Sequence, residues 1–303
     1  MKPWNDYLQH INQGDFHSLA RVISLVENEV PGYEEILMQL EPSPVIIIGI
    51  TGAPGAGKSS LTDALIGEMI KDEKKVAVVC IDPSSPFTRG ALLGDRIRMS
   101  EWYTHPDVFI RSLASKGSLG GLHPKTIEIT DVIKSALFDY IIIETVGVGQ
   151  SEVEIAALAD ITIVMLVPEG GDVIQTMKVG LMEVADVFVI NKYDRPGAAG
   201  YYNNLAQMLA PVFSRSQKEI PVLKTIASQK DGVPELYKVI TGWNFEKASS
   251  GRVEILTEKV WSIIQNRKMK KIDKSELKRE LSTIATKPGF NMYRFVEKYL
   301  ADQ

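Results

Sequence analysis

Gly52, Ala53, Pro54, Gly55, Ala56 and Gly57 lead directly into Lys58, Ser59 and Ser60. The stretch from Gly52 to Ser59 has the spacing G-x-x-x-x-G-K-S. Its chemistry is polyphosphate binding. Glycines let successive backbone N–H groups turn inward on one anion. Lys58 supplies a point charge to the outer phosphates, and the Ser59 hydroxyl can ligate Mg²⁺. An apolar run just before the loop reads as a strand, and Leu61, Ala64, Leu65 and Met69 after it share one helical face. The motif needs this strand, loop and helix context, and the positive end of the helix adds to the attraction for phosphate. A chance lysine in a glycine-rich turn does not account for both flanks.

A second group of residues selects the base. The apolar run 187–190 opens into Asn191-Lys192-Tyr193-Asp194, the N-K-x-D pattern of guanine-specific NTPases. The Asp194 carboxylate can accept from both guanine N1–H and the 2-amino group, an arrangement of donors that adenine lacks. The Lys192 stem can cover the base face, and Asn191 can tie this loop back to the phosphate loop. Four residues alone are a weak signal, because Asn and Asp are ordinary turn residues after a strand. Following a phosphate loop by about four strand–helix units, they are a strong one. A later short strand runs into Thr225-Ile226-Ala227-Ser228; in GTPases a loop here offers a backbone N–H to guanine O6, which would come from Ala227 or Ser228. This looser pattern is supporting only.

Two acidic residues complete the chemistry. Strand 76–81 ends in Asp82-Pro83-Ser84-Ser85, and strand 140–143 ends in Glu144-Thr145-Val146-Gly147. Both lie where parallel strands deliver ligands, at carboxyl ends beside the phosphate loop. Asp-Pro-Ser-Ser is also good turn chemistry, but beside a phosphate loop a magnesium or water-positioning role is the better reading. Gly147 can offer its N–H to a terminal phosphate and so sense its presence. The catalytic set is therefore Lys58, Asp82, Glu144 and Gly147.

The elements that must position these groups follow from periodicity. Residues 1–43 read as a helical extension in which Leu19, Val22, Ile23 and Val26 keep the i, i+3, i+4, i+7 spacing. Pro42 and Pro44 separate it from the first strand. Over 44–242 strands near 45–50, 76–81, 108–110, 140–143, 161–167, 187–190 and 222–223 alternate with helical stretches. That alternation indicates an α/β domain with a mostly parallel central sheet covered on both faces. Residues 243–303 read as a helical C-terminal extension with a stripe of Leu256, Val260, Ile263 and Ile264, interrupted by Trp261. Its aromatic residues Phe290, Tyr293, Phe295 and Tyr299 pack either on this chain's own core or against a partner.

Together these motifs resemble the MeaB/ArgK-type P-loop GTPases, chaperones of adenosylcobalamin-dependent acyl-CoA mutases such as methylmalonyl-CoA mutase. The likeness rests on 52–60, 82–99 (DPSSPFTRGALLGDRIRM), 144–152 (ETVGVGQSE), 171–180 (GDVIQTMKVG) and 191–194, and spans roughly residues 15–245. The 82–99 and 144–152 stretches are the most family-specific. The resemblance implies that Ser59, Asp82, Asp95 and Glu144 surround Mg²⁺, directly or through water, with Asp95 on a moving loop. It implies that Asp172, Gln175 and Lys178 couple nucleotide state to the mutase, where the pattern alone would read a solvated helix face. It also implies a homodimer, with the C-terminal extension as a dimerisation region. Arg89 and His123-Pro124 depart from the family pattern and affect only the partner-facing expectations.

Two other functions share the phosphate loop. A kinase acting on a transport-system protein would need an acceptor-hydroxyl site and a base, and no distinct motif supplies either. A metal-insertion GTPase would call for Cys or His clusters. The sequence has one cysteine and four scattered histidines. That single cysteine, Cys80, rules out a disulfide within the chain and suits a reducing, cytoplasmic setting. A net charge of −4 gives no sign of a nucleic-acid partner, and the run Arg267–Lys274 reads as a solvated helix end or linker. No apolar stretch approaches the ~20 residues of a membrane span.

Overall fold

The computed structural model describes residues 4–41, 43–82, 99–115, 122–146, 154–169, 184–216, 220–243, 252–269, 272–287 and 289–300. The chain divides into two compact units, Met1–Ser250 and Gly251–Gln303. The first holds strands β1 (Ile46–Gly52), β2 (Val76–Asp82), β3 (Val108–Ala114), β4 (Tyr140–Glu144), β5 (Ile161–Leu166), β6 (Val187–Ile190) and β7 (Val222–Lys224). They form one sheet in the order β3-β2-β4-β1-β5-β6-β7, and every pairing is parallel. Strands β1, β2, β4, β5 and β6 are buried almost throughout, as expected when helices cover both faces.

Alternation along each strand divides the core in two. Ile48, Ile50, Val78, Cys80 and Ile142 face helices α4 (Lys58–Lys71) and α7 (Val233–Thr241). Ile47, Ala77, Val79, Ile81, Ile141 and Ile143 face the other layer. That layer contains α1 (Trp4–Asn12), α2 (Phe16–Glu27), α3 (Tyr33–Leu37) and α5 (Thr126–Lys134). Helix α6 (Ala198–Ser216) covers Val164, Leu166, Phe188 and Ile190. Register is pinned at the strand starts by aspartates. Asp160 accepts from Ile47 N–H at 2.8 Å, Asp186 from Thr162 N–H at 2.9 Å, and Asp139 from Lys75 N–H at 2.8 Å. Each carboxylate satisfies an orphan backbone donor of the neighbouring strand or its lead-in.

The N-terminal helices are bound to this core by aromatic and polar contacts as well. The Phe16 ring lies 5.6 Å from that of Phe109 and 5.4 Å from that of Phe138. Arg111 on β3 donates to Glu27 at 2.6 Å. Lys125, only 7% exposed, donates to Glu128 at 2.7 Å and to the Tyr33 hydroxyl at 3.1 Å, and pairs with Glu29 at 3.1 Å. Burial by itself lowers the Lys125 pKa, but Glu128, Tyr33 and Glu29 outweigh it and the net shift is upward. A raised lysine contributes stability that is fully present below its ordinary pKa and is lost only as pH rises through the folded value. The clamp is therefore intact at neutral pH. Lys125→Met leaves the mostly buried Glu128 unpaired and is expected to cost about 3 kcal/mol in urea denaturation at pH 7. Glu29→Gln, at a 41% exposed partner, should cost under ~1 kcal/mol.

The second unit has α8 (Arg252–Met269), α9 (Lys274–Ile284) and α10 (Met292–Leu300). Asp273 caps α9 by accepting from Ser275 N–H at 2.7 Å. Glu280 accepts from Lys298 at 2.9 Å and from the Tyr299 hydroxyl at 3.0 Å, joining α9 to α10. Phe295 sits between Phe290 and Tyr299, at 6.2 and 5.5 Å, whereas Tyr293 is 76% exposed. Among the described residues no helix is long and apolar enough to cross a membrane.

Candidate functional site

Strand β1 lies between β4 and β5, where the strand order reverses. A crevice forms at the carboxyl ends of parallel strands at such a point, and the glycine loop 52–57 occupies it. The loop needs its glycines for two different reasons. Gly52, Gly55 and Gly57 have φ of +142°, +75° and +93°, which L side chains rarely adopt. At Gly57 a Cβ would also stand 2.4 Å from Asn191 Nδ2. Ala53, Pro54 and Gly55 are exposed at the tip, Ala56 is buried, and helix α4 begins at Lys58. The Lys58 ammonium donates to the Gly52 carbonyl at 2.9 Å and to the Ala53 carbonyl at 3.3 Å. Its charge is thereby held inside the loop, above the start of the helix.

Behind the loop lies a buried network of oxygens. The Ser59 hydroxyl donates to Glu144 Oε1 at 2.7 Å. The Thr62 hydroxyl, one turn further along α4, shares its one proton between the Lys58 carbonyl at 3.0 Å and Glu144 Oε2 at 3.2 Å. The Glu144 carboxylate is 3% exposed and Asp82 is 2% exposed. Cys80 pairs with Glu144 in the sheet register. Asp82, two residues beyond Cys80, thus points to the same side of the sheet as Glu144, the side covered by α4. Thr145 donates to the Thr51 hydroxyl at 3.0 Å, linking the ends of β4 and β1. Hydroxyl and carboxylate oxygens are the donors Mg²⁺ prefers, and it needs few of them when phosphate and water complete its shell. The residues present fit that ion.

The base-side loop is joined to the phosphate loop through one side chain. Asn191, 3% exposed, donates from Nδ2 to the Ala56 carbonyl at 2.8 Å. Its Oδ1 accepts from the Thr225 hydroxyl at 3.1 Å and from Ala227 N–H at 3.0 Å. Three loops after β1, β6 and β7 are thus held by one amide. Lys192 follows with φ of +56°, and its ammonium lies 4.0 Å from Glu169. Asp194 is exposed at the loop surface, as is Ser228. The Ala227 N–H, a candidate for guanine O6, is turned inward to Asn191 instead. There it is a second donor to the buried Asn191 carbonyl, beside the Thr225 hydroxyl.

Asp95, Gly147, Asp172, Gln175 and Lys178 lie outside the described residues. Thr62, Thr51 and Thr145 were not singled out by motif. Thr62 is three residues after Ser59, on the same face of α4, and that spacing was its only signal.

Comparison with known proteins adds four findings. A family model described as Methylmalonyl Co-A mutase-associated GTPase MeaB matches residues 19–282. A Pyrococcus abyssi protein named as a putative GTPase is 44% identical over 82% of this chain and 79% of its own length. A Geobacillus kaustophilus protein named fused isobutyryl-CoA mutase is 37% identical over 74% of this chain, a match that covers 22% of that longer protein. Among solved structures, one titled LAO/AO transport system kinase aligns over 94% of this chain and 87% of its own, with 26% identity and a TM-score of 0.61. The all-parallel seven-stranded sheet with its phosphate loop has the P-loop NTPase architecture.

Proposed function

The chain belongs to the methylmalonyl-CoA mutase-associated GTPase MeaB family, and from that premise we propose that it is a magnesium-dependent GTPase serving an adenosylcobalamin-dependent acyl-CoA mutase. In this reading it gates cofactor loading and protection or reactivation of the mutase, and it works in the cytoplasm as a homodimer. One observation carries the nucleotide assignment: Asn191 joins the phosphate loop to the loop that bears Lys192 and Asp194. Phosphate binding and base reading are then parts of one rigid site.

Each residue has a role in that site. The loop 52–57 wraps the polyphosphate, and Lys58 carries charge to its outer end. Ser59, Asp82 and Glu144 would hold Mg²⁺, with Asp95 completing the set. The ion supplies charge neutralisation on the transferred phosphoryl group. Gly147 senses the terminal phosphate. Asp194 reads guanine from one edge, and with Ala227 N–H directed to Asn191, the O6 contact falls to Ser228. Phosphoryl transfer asks mainly for positioning and charge, and this constellation supplies both. Asp172, Gln175 and Lys178 transmit nucleotide state to the mutase, which requires contacts that differ between the two states.

The fused isobutyryl-CoA mutase relative supports the mutase partner, because a GTPase segment and a mutase share one chain there. The kinase title of the solved relative supports the other reading, phosphoryl transfer to a transport-system protein. The two part on a pair of measurements. GTP hydrolysis is followed with and without purified methylmalonyl-CoA mutase, and capture on the mutase is compared with GDP and with a slowly hydrolysed GTP analogue. A mutase-dependent change in turnover of about fivefold or more is expected, as typical coupling allows. Unchanged turnover with no capture in either nucleotide state would remove the mutase assignment.

A further inference from the structure

Lys192 adopts a left-handed backbone conformation, φ +56°. For a residue with a Cβ this costs roughly 1 kcal/mol or more and persists only where its surroundings enforce it. On its N-terminal side the enforcement is plain, since Asn191 is locked by its three hydrogen bonds. On the C-terminal side Tyr193 donates its backbone N–H to the Thr225 carbonyl at 3.1 Å. The Tyr193 ring is held as well. The Lys224 ammonium stands 4.9 Å from its centroid and 4.2 Å from that of Tyr202 on α6. Both distances are within cation–π range.

Lys224 is well placed for this. It is the last residue of β7 and directly precedes Thr225, whose hydroxyl and carbonyl both bind the base loop. Its own backbone is closely packed. A Cβ on Gly232 would stand 2.0 Å from the Lys224 carbonyl, so the chain packs against it closely. Tyr193 and Tyr202 rest on the core around Phe188 and Ile190. A fixed backbone thus presents one cation between two anchored rings, one of them inside the N-K-x-D motif.

We propose that Lys224, with Tyr193 and Tyr202, is a positioning residue for base recognition: it holds the strained Lys192 peptide so that Lys192 and Asp194 meet the guanine together. This rests on the guanine reading above. It predicts a loss confined to the base. In Lys224→Gln, affinity for GDP should fall about three- to tenfold, in line with one or two partly exposed cation–π contacts. Affinity for inorganic tripolyphosphate, which has no base, should be unchanged. Lys224→Arg keeps a cation over the rings and should bind GDP as the wild type does. Tyr193→Leu should lose a similar factor, and the double variant Lys224→Gln/Tyr193→Leu should be no weaker than the weaker single variant, the non-additivity of groups that act together.

The test is competition of GDP, ADP and tripolyphosphate against a fluorescent GDP, with melting temperatures taken in parallel. Equal loss of GDP and tripolyphosphate in Lys224→Gln would reveal only a lost positive charge and overturn the proposal. So would wild-type GDP affinity in that variant, or failure of arginine to restore it. If the wild type itself bound ADP as tightly as GDP, the guanine reading would fall, and this proposal with it. A wild type selective for GDP with an indifferent Lys224→Gln would overturn this proposal alone. Should Lys224→Gln fail to fold, Tyr193→Leu alone gives the same readout and decides it the same way.

Discussion

Asp194→Asn is expected to weaken GTP binding by about a hundredfold or more and to raise affinity for xanthosine triphosphate. A site that reads a base by hydrogen bonds leaves its polar groups unpaired against the wrong ligand, and discrimination of ~10⁴ is attainable. The carboxylate accepts from guanine N1–H and the 2-amino group. The amide turns one acceptor into a donor and suits the carbonyl that xanthine carries in place of the amine. The framework that aims this side chain is built from Asn191, Thr225 and Ala227, none of which the substitution touches. Asp194 is itself exposed, so the fold should be indifferent, and a melting curve checks this. Competition of GTP, ATP and xanthosine triphosphate against a fluorescent GDP gives the answer. Equal affinity of the wild type for ATP and GTP would show that this loop does not select guanine.

Lys58→Ala is expected to lower the rate of GTP hydrolysis by about 10²–10³-fold or more. Positioned charge at the outer phosphates is the main contribution a protein makes to phosphoryl transfer. The ammonium is already held by the Gly52 and Ala53 carbonyls, at 2.9 and 3.3 Å, so little rearrangement is needed to present it. Glu144→Ala is a different probe of the same site. It removes the acceptor of the Ser59 hydroxyl and one acceptor of Thr62, and should weaken magnesium-dependent turnover, moving the Mg²⁺ titration to higher concentration. Single-turnover hydrolysis over a magnesium titration separates the two effects. Full activity in both folded variants would move the active site elsewhere.

Local pattern is enough to specify the alternation of strands and helices and the identity of the phosphate loop. Both are local: a run such as Ile47–Ile48 or Val187–Ile190 is apolar at every position because a doubly covered parallel strand has no wet face. Glycines at fixed offsets before Lys58 have few other uses. The same locality explains why 187–190 could be read as a strand and Asn191 as the start of its loop. What no local pattern contains is which strands lie side by side. Only the order β3-β2-β4-β1-β5-β6-β7 brings Glu144 against Ser59 and Thr62, more than eighty residues earlier, and sets Asp82 on the same face. Thr62 therefore had no motif to announce it.

Tertiary structure likewise decided the fate of the Ala227 amide. It lies in the loop expected to meet the base, and the fold pairs it with the buried Asn191 carbonyl from the loop after β6. The N-terminal helices show the same division. Their amphipathic spacing was legible, whereas their attachment under the sheet depends on Arg111, Lys125 and Phe109 from distant elements. Patterning tells each segment what it is, because propensity and burial act over a few residues. The site is assembled by contacts across strand ends, whose partners are set only when the whole sheet closes its order.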